Sequence, residues 1–374
     1  MSLTPILDLM QDPPKPRTPR WWPYILGAAI GAGIAVLPEF SDSLAGFNAL
    51  LFIPLLYAAV AIHEFGHLLA GKMVGMAPGG LAIGGFVMMK SDRGWTFRFD
   101  RRFLAGGMAM PVPARGELRI PAFALMVAGG PVASILSTLV CGYLFLEYGS
   151  GAWDWVGSFL WASAPGLLSL IPASAGLNKS DGARLWMLLR RPEDAGVWMA
   201  SVAVSAENIQ GVRPREWDPV LVDRMLRAEG AGEVFPSLMG YYRALDEQNI
   251  PAALKHLETA LALSARSGLA VRQALFFEAA EANALLKADA GHAREWLSRA
   301  VKLRKTKSKA CAESAVAIGD GRFADALRDI AAARALIAKS RQRSGLAIFA
   351  NERLDERERY CREALAAQSP AYQS

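Results

Sequence analysis

The sequence is poor in cysteine and histidine, and its second half lacks long apolar runs. Its three cysteines, Cys141, Cys311 and Cys361, are too few and too scattered for a disulfide framework or a paired-cysteine metal site; they read as small core residues in a reducing compartment. No cleavable leader is visible. Met1 to Arg20 is polar and proline-rich, and the first apolar run lacks an obvious small-residue cleavage site, so it reads as a retained span. The apolar runs carry no second cluster of acidic or histidine side chains, which argues against a metal transporter.

Of the 374 residues, 52% are hydrophobic, and the mean hydropathy is +0.20. That is too apolar for an ordinary cytosolic enzyme and too charged for a pure membrane bundle, so a membrane part joined to a soluble part is expected. Windows of about 20 apolar residues, enough to cross roughly 30 Å of hydrocarbon, fall only in the first half. A basic tail, residues 1–20, precedes a span opening at Trp21 and Trp22 and running to about Leu37. A second span covers about Leu44 to Gly71, with Pro54 expected to kink it. Residues 72–121 are rich in glycine and proline, and pieces such as Leu81 to Met89 and Trp95 to Phe99 predict small strands or hairpins. A third span is expected from about Ala122 to Leu146, broken at Gly129-Gly130-Pro131, and a fourth from about Trp153 to Ile171.

The net charge of +6 and pI of about 9.3 invite a nucleic-acid reading. The basic residues sit beside apolar spans instead, which is a topology signal, and no nucleic-acid partner is expected. Lys15, Arg17 and Arg20 precede the first span, Lys72 to Arg119 follow the second, and Arg184, Arg190 and Arg191 follow the fourth. The opposite connections hold Glu39, Asp42, Glu147 and Asp154 with no Lys or Arg. Both termini are therefore expected in the cytoplasm.

Residues 21–190 thus form one expected membrane domain, 191–232 a linker, 233–368 a soluble helical domain and 369–374 a tail. Within the soluble domain, Ala253 to Ala260 is echoed by Ala293 to Ala300 and more weakly by Phe323 to Ile330, each after a short turn. Small residues at this spacing let paired helices pack closely. The pattern resembles tetratricopeptide repeats, although spacings of 40 and 30 depart from that repeat's regular length. A helical bundle of another kind is the alternative. Stacked hairpins would offer a groove to a protein partner.

The second span ends in Ala61-Ile62-His63-Glu64-Phe65-Gly66-His67. Histidines four apart stack on one helix face and can share a metal ion, and Glu64 can reach a water on that ion without ligating it. A third ligand is then needed. His256 and His292 lie in the soluble half and read as exposed helix residues, so a carboxylate of the membrane part is the better candidate. Asp181 sits just after the fourth span, at the level of His63 and His67.

These residues, followed in order by Gly84-Gly85-Phe86-Val87, Gly129-Gly130-Pro131, Pro172 and Asp181-Gly182, resemble the site-2 protease family of intramembrane zinc metalloproteases over roughly residues 45–190. The resemblance implies His63, His67 and Asp181 as ligands of one Zn2+ ion, Glu64 as general base, and Gly84, Gly85, Phe86 and Val87 as a strand meeting an extended substrate. The implied fold is about four transmembrane helices with a small β insertion, plus the all-α soluble domain. The implied setting is a bacterial inner membrane, with a membrane protein or peptide as substrate. Two departures concern the group that polarises the scissile carbonyl. Ser169 stands where the family often has asparagine, and Ser134 stands where some members have another. Asn178 is a candidate for the missing amide, against a loop or capping role. The alternative function is a proteolytically silent membrane scaffold whose helical domain binds partners.

Overall fold

A computed structural model of the chain describes residues 49–91, 94–104, 106–113, 119–148, 154–175, 178–227, 234–264, 267, 269–300, 306–339 and 344–368. The expected basic tail, the first span and the Glu39 to Ser43 turn lie outside these residues. The described chain is mostly helical, with a small antiparallel sheet. It divides into two compact units that exchange the chain between Met199 and Ala200, within one helix.

In the first unit, helix α1 (Ala49–Met73) leads into four strands, β1 (Ala77–Ile83), β2 (Phe86–Ser91), β3 (Gly94–Phe99) and β4 (Gly107–Val112). Helix α2 (Ile120–Tyr148), helix α3 (Asp154–Leu168), a short hairpin of β5 (Ser174–Ala175) and β6 (Asn178–Lys179), and helix α4 (Asp181–Arg190) follow. The sheet order is β3-β2-β1-β4, so β4 is an edge strand. The expected β-forming piece from Leu81 to Met89 is a hairpin of β1 and β2, because Gly84 and Gly85 both take positive φ and turn the chain between them.

Among the described residues, two helices are long and apolar enough to cross a membrane, over Ile53–Met73 and Ile120–Glu147. Their exposure pattern supports a lipid setting. On α1, Phe65, Leu69 and Met73 are exposed while His63, Glu64, His67 and Ala70 are buried on the opposite face. On α2, Leu136, Leu139, Tyr143 and Leu146 are likewise exposed. A soluble protein rarely leaves so continuous an apolar surface in water. The expected fourth span is a helix of 15 residues, about 22 Å at the usual rise and short of the hydrocarbon thickness.

The expected break at Gly129-Gly130-Pro131 is absent, and α2 runs through it without interruption. Pro131 removes one backbone donor, a loss that a long helix with satisfied neighbours absorbs. The glycines serve packing. A Cβ on Gly66 would overlap the Gly129 carbonyl oxygen and stand 2.6 Å from Ala133 Cβ, and one on Gly129 would overlap Gly66 and Ala70. The two helices therefore touch backbone to backbone, as small residues allow in membranes.

The second unit contains the rest of helix α5 (Pro192–Ile209), α6 (Pro219–Leu226), and seven further helices: α7 (Val234–Asp246), α8 (Ile250–Ser264), α9 (Leu269–Leu286), α10 (Ala290–Arg299), α11 (Lys307–Gly319), α12 (Phe323–Lys339) and α13 (Gly345–Ala367). The expected linker 191–232 thus holds two helices. Each helix from α7 packs on the next in sequence, and α11 also packs on α9. The three sequence echoes fall on α8, α10 and α12, every second helix, with Ala253, Ala260, Ala293, Ala300 and Ala326 fully buried. Tyr241, Phe277 and Trp296 fill the core between helices, each stabilising by about 1.5–3 kcal/mol. Beside them Glu281 pairs with Arg353 at 2.6 Å and Arg357 at 2.5 Å, while Tyr242 donates to Glu278 at 2.8 Å.

Burial and the neighbouring Glu281 carboxylate push Glu278 up to about 7, from an ordinary 4.5. A carboxyl raised on folding binds its proton more tightly in the native state, so stability falls as pH rises between those two values. Glu278→Gln should flatten that part of the profile, read as the unfolding temperature of the full-length protein against pH; an unchanged slope would count against it. For the first unit, Gly66→Ala should force α1 and α2 apart and cost about 1–3 kcal/mol. Gly142→Ala, whose Cβ meets nothing within 4 Å, is the control, and equal unfolding temperatures in detergent for the two variants would contradict the packing argument.

Candidate metal centre

His63 and His67 lie on the buried face of α1, one turn apart, and point into the space between α1, α2 and the start of α4. Asp181 reaches the same space because the chain after α3 is folded tightly back. Ser180 caps α4, accepting from the Ala183 and Ala173 amides at 3.2 and 3.0 Å and donating to the Ile171 carbonyl at 2.7 Å. The Gly182 amide donates to the Ser169 carbonyl at 2.9 Å. A Cβ on Gly182 would overlap the Leu170 backbone, which explains glycine immediately after the aspartate.

The three side chains converge. His63 Nε2 lies 3.0 Å from Asp181 Oδ2 and 3.2 Å from His67 Nε2, and His67 Nε2 lies 3.6 Å from the same carboxylate oxygen. All three residues are buried. His67 Nδ1 lies 3.0 Å from the Met126 carbonyl oxygen and 3.3 Å from the Gly130 amide nitrogen, and in the tautomer that donates to Met126 its Nε2 presents a lone pair to Asp181. His63 Nδ1 lies 2.9 Å from Ser134 Oγ, which accepts from it in the same tautomer. Ser134 is held in turn, because Thr138 Oγ1 donates to its carbonyl at 2.7 Å, and Thr138 Oγ1 lies 3.0 Å from Ser163 Oγ. Glycines make the space: a Cβ on Gly130 would overlap the His67 ring and one on Gly166 would overlap Ser134 Oγ.

Two imidazole lone pairs and a carboxylate oxygen facing one another repel unless a cation lies among them. A proton can serve one pair at a time, whereas a divalent ion serves all three. Ligand atoms about 2.0–2.2 Å from a tetrahedral ion stand about 3.3–3.5 Å apart, and the observed separations of 3.0 to 3.6 Å bracket that range. The residues therefore fit a metal ion.

Glu64 shares the buried face and lies against β4. The Ala109 backbone amide hydrogen-bonds its carboxylate, and a Cβ on Gly107 would come within 2.6 Å of Glu64 Cγ. The strand beside the site is thus β4, not the expected Gly84 to Val87 segment. Gly84 packs over Tyr57 of α1, Gly85 lies against Phe99, Phe86 is exposed and Val87 is buried in the sheet. The signal for β4 was the small-residue alternation Gly107, Ala109, which carries little weight without the fold. Asn178 pairs with Ala175 in the β5–β6 hairpin, and its side chain lies outside the described residues. His292 bonds Asp289 within the second unit. Comparison with known families, curated proteins and solved structures finds no match for this chain.

Removing an outer-shell partner of a ligating histidine commonly costs about 10–100-fold in metal affinity. Ser134→Ala should weaken metal retention by that order against a competing chelator, while His63→Ala and Asp181→Ala should abolish it; full retention in all three would place the metal elsewhere.

Proposed function

We propose that this protein is a zinc-dependent endopeptidase of the site-2 protease type, cutting a peptide bond in or near a membrane-spanning segment of another protein. The observation that carries the reading is the buried convergence of His63, His67 and Asp181 beside Glu64, on a helix long and apolar enough to cross a bilayer. Ionisable groups at such a depth are costly and default to function. A zinc ion there would polarise a carbonyl and bring the pKa of a bound water toward 7.

The chain's own residues supply the rest of the chemistry. Glu64 takes a proton from the attacking water as the new C–O bond forms and the carbonyl π pair moves onto oxygen. It then hands that proton to the amide nitrogen as the C–N bond breaks. A transmembrane helix hides its amides and must unwind before it is cut. The edge strand β4, which already touches Glu64, offers main-chain groups along which an unwound segment aligns. Water enters from the cytoplasmic side, through the glycine-rich segment that carries the sheet.

Glu64→Gln should keep its metal and lose cleavage of candidate membrane segments by about 10²–10⁴-fold. Zinc content and product formation by the detergent-purified protein, measured side by side, test this; undiminished cleavage by the variant would exclude the protease.

A further inference from the structure

We propose that Arg184 is a further catalytic residue of this site, its guanidinium receiving the negative charge that develops on the scissile carbonyl oxygen. The inference rests on the metalloprotease reading above. Hydrolysis moves the carbonyl π pair onto oxygen, and in a water-poor site that charge needs a preorganised donor.

The two serines that stand where the resemblance has asparagine are engaged elsewhere. Ser169 donates its hydroxyl to the Gly166 carbonyl at 2.7 Å, within its own turn, and Ser134 is engaged with His63. Arg184 stands one turn along α4 from Asp181. Its Nη1 lies 3.6 Å from Asp181 Oδ1, while Oδ2 faces the two imidazoles. The guanidinium therefore lies on the outer side of the Asp181 carboxylate, 3.6 Å beyond the oxygen that does not face the imidazoles. A separation of 3.6 Å is too long for a hydrogen bond, so the donors are not spent on the ligand.

What orients Arg184 is an aromatic stack. Its guanidinium lies 5.7 Å from the Trp198 ring centroid, and Trp198 meets Phe123, which is fully buried on α2, edge to face at 5.6 Å. The side chain is 37% exposed, so part of the guanidinium is accessible from solvent. The neighbouring cations turn elsewhere: Lys179 reaches Met187, Arg190 stacks on Trp186 and Arg191 pairs with Asp194. Arginine suits the task because a planar fork held by stacking keeps several donors in fixed directions.

The test uses full-length protein in detergent, with Arg184→Met and Arg184→Lys beside wild type. Zinc content is measured first, then affinity for a phosphinic pseudopeptide, whose tetrahedral anion mimics the charged intermediate, and for a hydroxamate, which binds chiefly through the metal. Arg184→Met should keep its zinc and its hydroxamate affinity yet bind the phosphinic probe on the order of 10- to 100-fold more weakly, the size of a charged hydrogen bond. Its kcat should fall by about 10²-fold with little change in KM, and lysine should recover part of both. Unchanged phosphinic affinity overturns the proposal, as does joint loss of zinc and both probes, which would reduce Arg184 to a support for Asp181. A wild-type protein that binds neither probe removes the metalloprotease reading itself.

Discussion

The backbone contact between α1 and α2 at Gly66 and Gly129 is the constraint on which the site depends. Without side chains there, the helices approach until the Met126 carbonyl meets His67 Nδ1 and Ser134 meets His63 Nδ1. Those two contacts orient both imidazoles, with their Nε2 atoms turned to one point. A larger residue at either glycine would move α2 away and take the orienting partners with it. The metal site is thus a consequence of helix packing as much as of ligand identity.

The aspartate arrives by a different device. α3 is short, and the chain after it turns back through Ser169 to Pro172 and a two-residue-per-strand hairpin before Ser180 caps α4. Asp181 is thereby delivered on the rigid first turn of a helix. Gly182 lets that turn lie directly on the Leu170 backbone. The site draws on α1, α2, α4 and β4, while α3 packs behind it through Phe159 and Ala162.

The helical unit follows ordinary soluble packing rules. Alanines at the echoed positions are buried, and a paired charge cluster of Glu281, Arg353 and Arg357 sits among the aromatics. Breaking one partner of such a cluster would strand a buried charge, which is expensive. Its composition already set this unit apart from the apolar first half.

By itself the sequence determined the helical periods, the His63, Glu64 and His67 trio, the candidate Asp181 and the division into an apolar and a polar half. These are local properties, written in spacing and composition. Only the tertiary structure decided the rest. It made Gly129-Gly130-Pro131 a packing surface instead of a break, because the glycines are needed by a neighbour 63 residues away in sequence. It placed β4 and not Gly84 to Val87 beside Glu64, because strand order is set by long-range pairing that no local pattern records. And it set Arg184 beside Asp181 on the stack of Trp198 and Phe123, a proximity that exists only once α2, α4 and α5 have packed.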